Sequence, residues 1–169
     1  CTATNGLCVI KDEITVFVKE QADIYATDTI ICKDESASIK VNGWATKVIW
    51  SPAKSLSDPN SFEPIATPNQ TTVYQVIGEQ EYCLDDTAYV TVFVEEKPTL
   101  DILPNQLAIP NQSIQIANGN EDYTYQWFPD INISCTDCPN PMAFVTDSTI
   151  TYSVVFQSPN GCFNTEHIT

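Results

Sequence analysis

The sequence contains no arginine and a single histidine, His167. Seven lysines face 22 acidic side chains, giving a formal charge of −15 over 169 residues. Nucleic-acid binders need a basic footprint that releases counterions, so a nucleic-acid partner is excluded. The same deficit argues against docking on anionic membranes. One imidazole leaves no multi-histidine metal site and little scope for imidazole catalysis. No apolar run approaches the roughly 20 residues of a membrane span, so membrane insertion is not expected. A charged n-region leading into an apolar h-region is also missing, and the chain starts on cysteine, as a mature piece or internal fragment would. Helical spacing over ten or more residues is not found.

Cysteine, by contrast, is abundant, with seven residues. Cytosolic chains seldom keep disulfides, so the count points to export into an oxidising compartment. A cytosolic zinc or redox protein is the alternative. A zinc site would need a second CxxC or a Cys/His pair, and the one CxxC is Cys135 to Cys138.

The strongest signal is internal repetition. Thr15-Val16-Phe17-Val18 recurs as Thr91-Val92-Phe93-Val94, with Cys8 and Cys83 seven and eight residues upstream of the threonines. A third copy runs from Cys162 to Ile168-Thr169. Trp50-Ser51-Pro52 matches Trp127-Phe128-Pro129, and the segment from Thr71 to Val76 matches that from Thr149 to Val154. The period of 75 to 79 residues suits a small domain rather than a solenoid unit. The expected boundaries are 1–19 (the C-terminal strands of a preceding repeat), 20–97 (a complete repeat) and 98–169 (a repeat without its last residues). Glu95-Glu96-Lys97-Pro98 forms the junction, and the chain reads as a window on a longer array.

Within each unit the periodicity is two. Val90, Val92 and Val94 share one strand face, while Tyr125 and Trp127, like Tyr152, Val154 and Phe156, alternate with other residues. Asn42-Gly43, after Ser38-Ile39-Lys40-Val41, has the composition of a hairpin turn. Eleven prolines punctuate the strands. The fold class is all-β, in tandem immunoglobulin-like β-sandwich domains of about seven strands each.

A unit of about 77 residues is marginal alone, so cross-links matter. Joining Cys32 to Cys83 would close a loop of about 52 residues, worth about 4 kcal/mol by chain entropy. Trp50 between them gives the Cys…Trp…Cys order of an immunoglobulin-like domain. The third unit has no cysteine near Leu107 to Ile109, which leaves Cys162 free or bonded across units. Cys1 and Cys8 are left to partners upstream or to each other.

Together these residues resemble the immunoglobulin-like, PKD-related repeats of large surface adhesins in Bacteroidota, including the gliding-motility adhesin exported by the type IX secretion system. The resemblance rests on the Trp-x-Pro elements, the Thr-Thr-x-Tyr-x-Val element ending at Val76 with its looser copy ending at Val154, and the glycine/cysteine turn into a Val-Thr-Val strand at Gly6 to Val18 and at Gly161-Cys162. The stretch Ser134 to Pro141 is also similar. The chain departs from the pattern in lacking a first cysteine in the third unit, and in having Lys33 where glycine follows the cysteine. The resemblance implies a stalk segment of a cell-surface adhesin that is not an enzyme and has no cofactor. Its implied partners are neighbouring repeats, polysaccharide or another surface, and the secretion and outer-membrane motility machinery.

Several residues could carry more specific chemistry. Cys135 and Cys138, followed by Pro-Asn-Pro, suit a small structural disulfide better than a redox pair, which needs a helix N-terminus. Asp85-Asp86, Glu95-Glu96 and Glu121-Asp122 are sequence neighbours, which point to opposite faces of a strand. They suit solvated turns better than the facing carboxyls of a glycosidase. Glu95, Glu96 and Asp101 at the junction are the weak candidates for calcium, which takes six to eight oxygens; no metal site is otherwise expected. His167 reads as an exposed strand residue without triad partners. Trp50 and Trp127 fall in phase with the core, whereas Trp44 could stack on a sugar ring or cap the sandwich. Thr29, Thr87 and Ser148 follow aspartates in the pattern of Bacteroidota O-glycosylation. The sequons at Asn69, Asn111 and Asn132 would matter in a eukaryotic secretory route. Carbohydrate binding, or an accessory place in a secreted hydrolase, are the alternatives to a stalk.

Overall fold

Buried and exposed side chains alternate along the long strands, as period-two patterning requires. The computed structural model describes residues 2–5, 8–11, 13–16, 18, 20–103 and 109–169, and among these every regular element is a strand. A hairpin of β1 (Thr2–Asn5) and β2 (Cys8–Lys11) comes first. Two sandwiches follow.

The first is built from β3 (Asp23–Tyr25), β4 (Thr29–Cys32), β5 (Ala37–Ser38), β6 (Asn42–Trp44), β7 (Lys47–Ser51), β8 (Ile65–Ala66), β9 (Thr72–Glu79) and β10 (Asp86–Glu95). One sheet has the order β4-β10-β9-β7, with β4 parallel to β10 and the other pairs antiparallel. The opposing layer pairs β3 with β6 and β5 with β8. Bonds from Ile39 N to Pro64 O (3.0 Å) and Val41 N to Phe62 O (2.9 Å) extend the β5–β8 ladder. The incoming strand thus starts on one sheet as β3 and crosses to the other as β4. Ile24, Ile31, Ile39, Val41, Val48, Trp50, Tyr74, Val76, Val90 and Val92 are buried between the layers.

The second sandwich uses β11 (Asp101–Ile102), β12 (Ser113–Gln115), β13 (Ala117–Asn118), β14 (Thr124–Phe128), β15 (Met142–Phe144), β16 (Tyr152–Gln157) and β17 (Phe163–Ile168). The sheet β14-β16-β17 faces the pairs β11–β13 and β12–β15. Its separate core holds Ile116, Ala117, Tyr125, Trp127, Ala143, Tyr152, Val154 and Phe156.

Equivalent positions 77 residues apart keep the same bonds. Trp50 Nε1 donates to Ser61 O (2.9 Å), and Trp127 Nε1 to Cys138 O (3.0 Å). Ser57 and Ser134 each exchange a pair of bonds with the strand opposite, at Ile65 and Met142. Ser51-Pro52 and Phe128-Pro129 are both cis.

One expectation is corrected. Asn42-Gly43 is not a hairpin turn; both residues lie in β6, paired with Tyr25 and Ile24. Gly43 has φ 105°, and a Cβ there would meet the Asp23 backbone. Its glycine is needed for a close strand approach rather than a reversal. The tetrapeptide at 15–18 also differs from its copy. Thr15, Val16 and Val18 lie in no strand, and Val18 is 90% exposed, whereas Thr91–Val94 lie within β10. Phe17 lies outside the described residues, as do Gly6, Leu107 and Cys1.

Candidate functional site: the clamp between the sandwiches

The parallel pairing of β4 with β10 runs from Thr29 opposite Val92 to Cys32 opposite Glu95. Lys33 N then donates to Glu95 O (2.8 Å). Cys32 is thereby held beside the end of β10, where the chain leaves for the second sandwich. Cys162 sits in the turn between β16 and β17, closed by Gly161 N to Ser158 O (2.9 Å) and Ser158 N to Cys162 O (2.8 Å). Asn164 Nδ2 donates to Pro98 O (3.2 Å), which ties this hairpin to the linker.

Cys32 and Cys162 are joined by a disulfide with Cα atoms 5.6 Å apart, 130 residues apart in sequence. Cys162 is fully buried. Closing a loop of this size is worth about 5 kcal/mol by chain entropy. The bond also fixes a second point of attachment between two sandwiches that the backbone alone joins once.

This corrects the expected Cys32–Cys83 pair. Cys83 lies in the turn before β10, and its thiol carries no disulfide. Cys32 lies at the other end of that ten-residue strand, which spans about 30 Å at ~3.3 Å per residue. A disulfide needs Cα atoms within about 7 Å. The signal for the true partner was present, since Cys83 and Cys162 occupy the same turn of successive units. A link from one unit to the next uses one cysteine of each.

The acidic junction is held by an exposed ion pair. Glu96 accepts from Lys33 Nζ through both oxygens, at 2.7 and 3.0 Å, and the pair is solvent-exposed. The hydrogen bond and charge of Glu96 hold the Lys33 ammonium pKa above its usual value. Glu95 contributes its backbone carbonyl, and Asp101 is exposed on β11. Among the described residues no three His, Cys, Asp or Glu side chains converge as a metal site, so Glu95, Glu96 and Asp101 are not gathered for calcium.

The remaining candidates are dispersed. A disulfide joins Cys135 and Cys138 in the loop over Trp127, with Cα atoms 5.8 Å apart. Trp44 stands on β6 with 60% of its surface exposed, while Trp50 and Trp127 are buried. His167 is exposed on β17, its Nδ1 2.8 Å from Ser153 Oγ across the strands. Thr87 and Ser148 are exposed and Thr29 is half-buried. The aspartates before both threonines have structural work. Asp28 Oδ1 accepts from Thr91 N (2.7 Å), and Asp86 accepts from Ile24 N and Thr87 N (2.8 Å each). These amides hold the Asp86 carboxyl below its usual pKa. An open cavity of about 360 Å³ lies in the second sandwich among Ile114, Val145, Asp147, Ser148, Tyr152 and Ile168.

Two facing layers around a buried tryptophan define an immunoglobulin-like sandwich, here present twice, and in the first the incoming edge strand is shared between the layers. No family model matches the chain, and no curated protein matches it. Solved structures do. The N-terminal eight immunoglobulin domains of Down Syndrome Cell Adhesion Molecule align over 86% of this chain and 23% of that one, with TM-score 0.52 and 10% identity. A C-terminal 282-residue fragment of intimin, solved with the intimin-binding domain of its translocated receptor, aligns over 91% and 64%, with TM-score 0.49 and 14% identity. Three titin immunoglobulin domains align over 86% and 62%, with TM-score 0.46 and 9% identity. The chain spans less than two thirds of the length of each. At such identity the likeness concerns the fold: the chain is a tandem of immunoglobulin-like domains.

Proposed function

We propose that the chain is a length of stalk in a large exported surface adhesin, with repeats at 20–97 and 98–169 and the tail of another at 1–19. The observation that carries this reading is the Cys32–Cys162 bond, which clamps consecutive sandwiches together. Such a clamp suits a spacer that must hold its shape. Each unit adds ~35–40 Å at strand spacing, and the charge of −15 keeps neighbouring stalks apart within a Debye length of about 8 Å. The whole protein acts at the cell surface, adhering to polysaccharide or another surface. Its export by a type IX route and a part in gliding follow from the sequence resemblance. Small-angle scattering of the oxidised chain tests the stalk reading: a rod whose maximum dimension shrinks or spreads in C162S supports it. A dimension unaffected by the variant removes the clamp as its basis.

Glycan binding is the second reading, favoured by the 60% exposure of Trp44. Saturable retardation in polysaccharide-containing gels, abolished by Trp44→Ala, would establish it. An accessory place beside a secreted hydrolase would be decided by a catalytic domain in the flanking sequence.

A further inference from the structure

We propose that Cys83 is half of a second clamp. Its partner is a cysteine at the end of the parallel edge strand of an immunoglobulin-like sandwich N-terminal to Ala22. The inference rests on the stalk reading above. Its first ground is equivalence: Cys83 and Cys162 both stand in the turn before the last strand of a unit, and Cys162 is bonded to the edge strand of the preceding sandwich. The second ground is the turn itself. Each turn is closed by a backbone bond reaching three residues back, from Cys83 N itself to Gln80 O (3.1 Å) and, one residue before Cys162, from Gly161 N to Ser158 O (2.9 Å). The residue before each cysteine has positive φ, 65° at Tyr82 and 88° at Gly161. Tyr82 keeps this conformation although L side chains disfavour it, so a left-handed residue leads into Cys83 as one leads into Cys162.

The third ground is position. Ala22 N donates to Leu84 O (3.3 Å), and Asn164 Nδ2 donates to Pro98 O. Each cysteine turn is therefore fastened to the segment entering its own sandwich, on the end that faces the previous one. Cys32, already bonded, is unavailable to Cys83.

In the proposed step both thiols lose a proton and one S–S bond forms. The two electrons pass to a disulfide oxidant, such as an oxidised thiol oxidoreductase, whose own disulfide becomes a dithiol.

The test uses the protein as its own cells export it, alkylated with iodoacetamide before lysis and digested without reduction. Mass spectrometry is expected to find the Cys83 peptide joined to one from the sandwich immediately upstream. In Cys83→Ser that upstream cysteine should go from unlabelled to one alkylated thiol per chain, with the Cys32–Cys162 peptide unchanged. Alkylated Cys83, or Cys83 joined to Cys1, Cys8 or a more distant unit, overturns the proposal. Electron micrographs of the same sample separate the two readings. A row of beads with alkylated Cys83 leaves the stalk reading standing alone, and the lack of a row removes both.

Discussion

The two sandwiches share a frame but fasten it differently. In the first, the loop beneath Trp50 is closed by hydrogen bonds, Asn60 N to Asp58 Oδ1 (2.9 Å) and Ser61 N to Asp58 O (3.3 Å). In the second, the equivalent positions, 77 residues on, are Cys135 and Cys138, and a disulfide closes the loop. Either device presents a carbonyl to the tryptophan indole. The cores diverge in the same manner. Val48 pairs with Gly78, where a Cβ would come within 2.9 Å of the Ile24 side chain. The matching pair, Tyr125 and Phe156, stacks its rings with centroids 6.1 Å apart. Space left by a glycine is filled by an aliphatic side chain from β3 in one sandwich and by an aromatic ring in the other. The tryptophan anchor and strand register are kept, and the fillers and staples are exchangeable.

The inter-sandwich bond makes the largest contribution, so C162S should lower the summed stability of the two sandwiches by about 5 kcal/mol. Calorimetry should then resolve two transitions. Next come the anchors. Trp50→Ala and Trp127→Ala should each cost their own sandwich about 3–5 kcal/mol in denaturant titrations, and very unequal costs would break the comparison. A transplant would sharpen it: D58C/S61C should let the first sandwich form the staple of the second and gain about 2 kcal/mol when oxidised, while C135S/C138S should lose a similar amount.

Acid should separate the sandwiches. Asp86 corresponds to Asn164, and each accepts a bond from the following amide. The folded pKa of Asp86 is depressed by the Ile24 and Thr87 amides. Its contribution is therefore complete above the unfolded-state value of about 3.9 and is lost as pH falls through the folded value. Unfolding midpoints from pH 5 to 2 should fall for the first sandwich, and D86N should remove the part of that fall due to Asp86, with no counterpart at Asn164. The smallest effect is expected at Lys33. The pair with Glu96 is exposed, so Lys33→Ala should shift the midpoints little, and less still in high salt.

Alternation made much of the fold legible. The burial of Trp50, Trp127, Val90, Val92, Tyr152, Val154 and Phe156 follows from period two, because strand geometry sends successive side chains to opposite faces. The repeat was equally legible, since the matching residues carry the same hydrogen bonds. The cysteine pairing at the candidate site was legible only in part, since a bond across units was open to Cys162 but its partner was not identified. Composition says that disulfides form, but which sulfurs meet depends on which strand ends lie together, and sequence order misled for Cys32 and Cys83.

Thr-Val-Phe-Val marks the division between the two kinds of information. Its alternation is a local property and is the same in both copies. At 91–94 it becomes strand because β9 and β4 supply hydrogen-bond partners on both sides and a core takes up Val92. At 15–18 the described residues have no such neighbours and stand exposed. Sequence alone determined which faces were apolar and where the units recur. Tertiary structure decided which segments become strand and which thiols join, because a strand bonds to its neighbours rather than to itself.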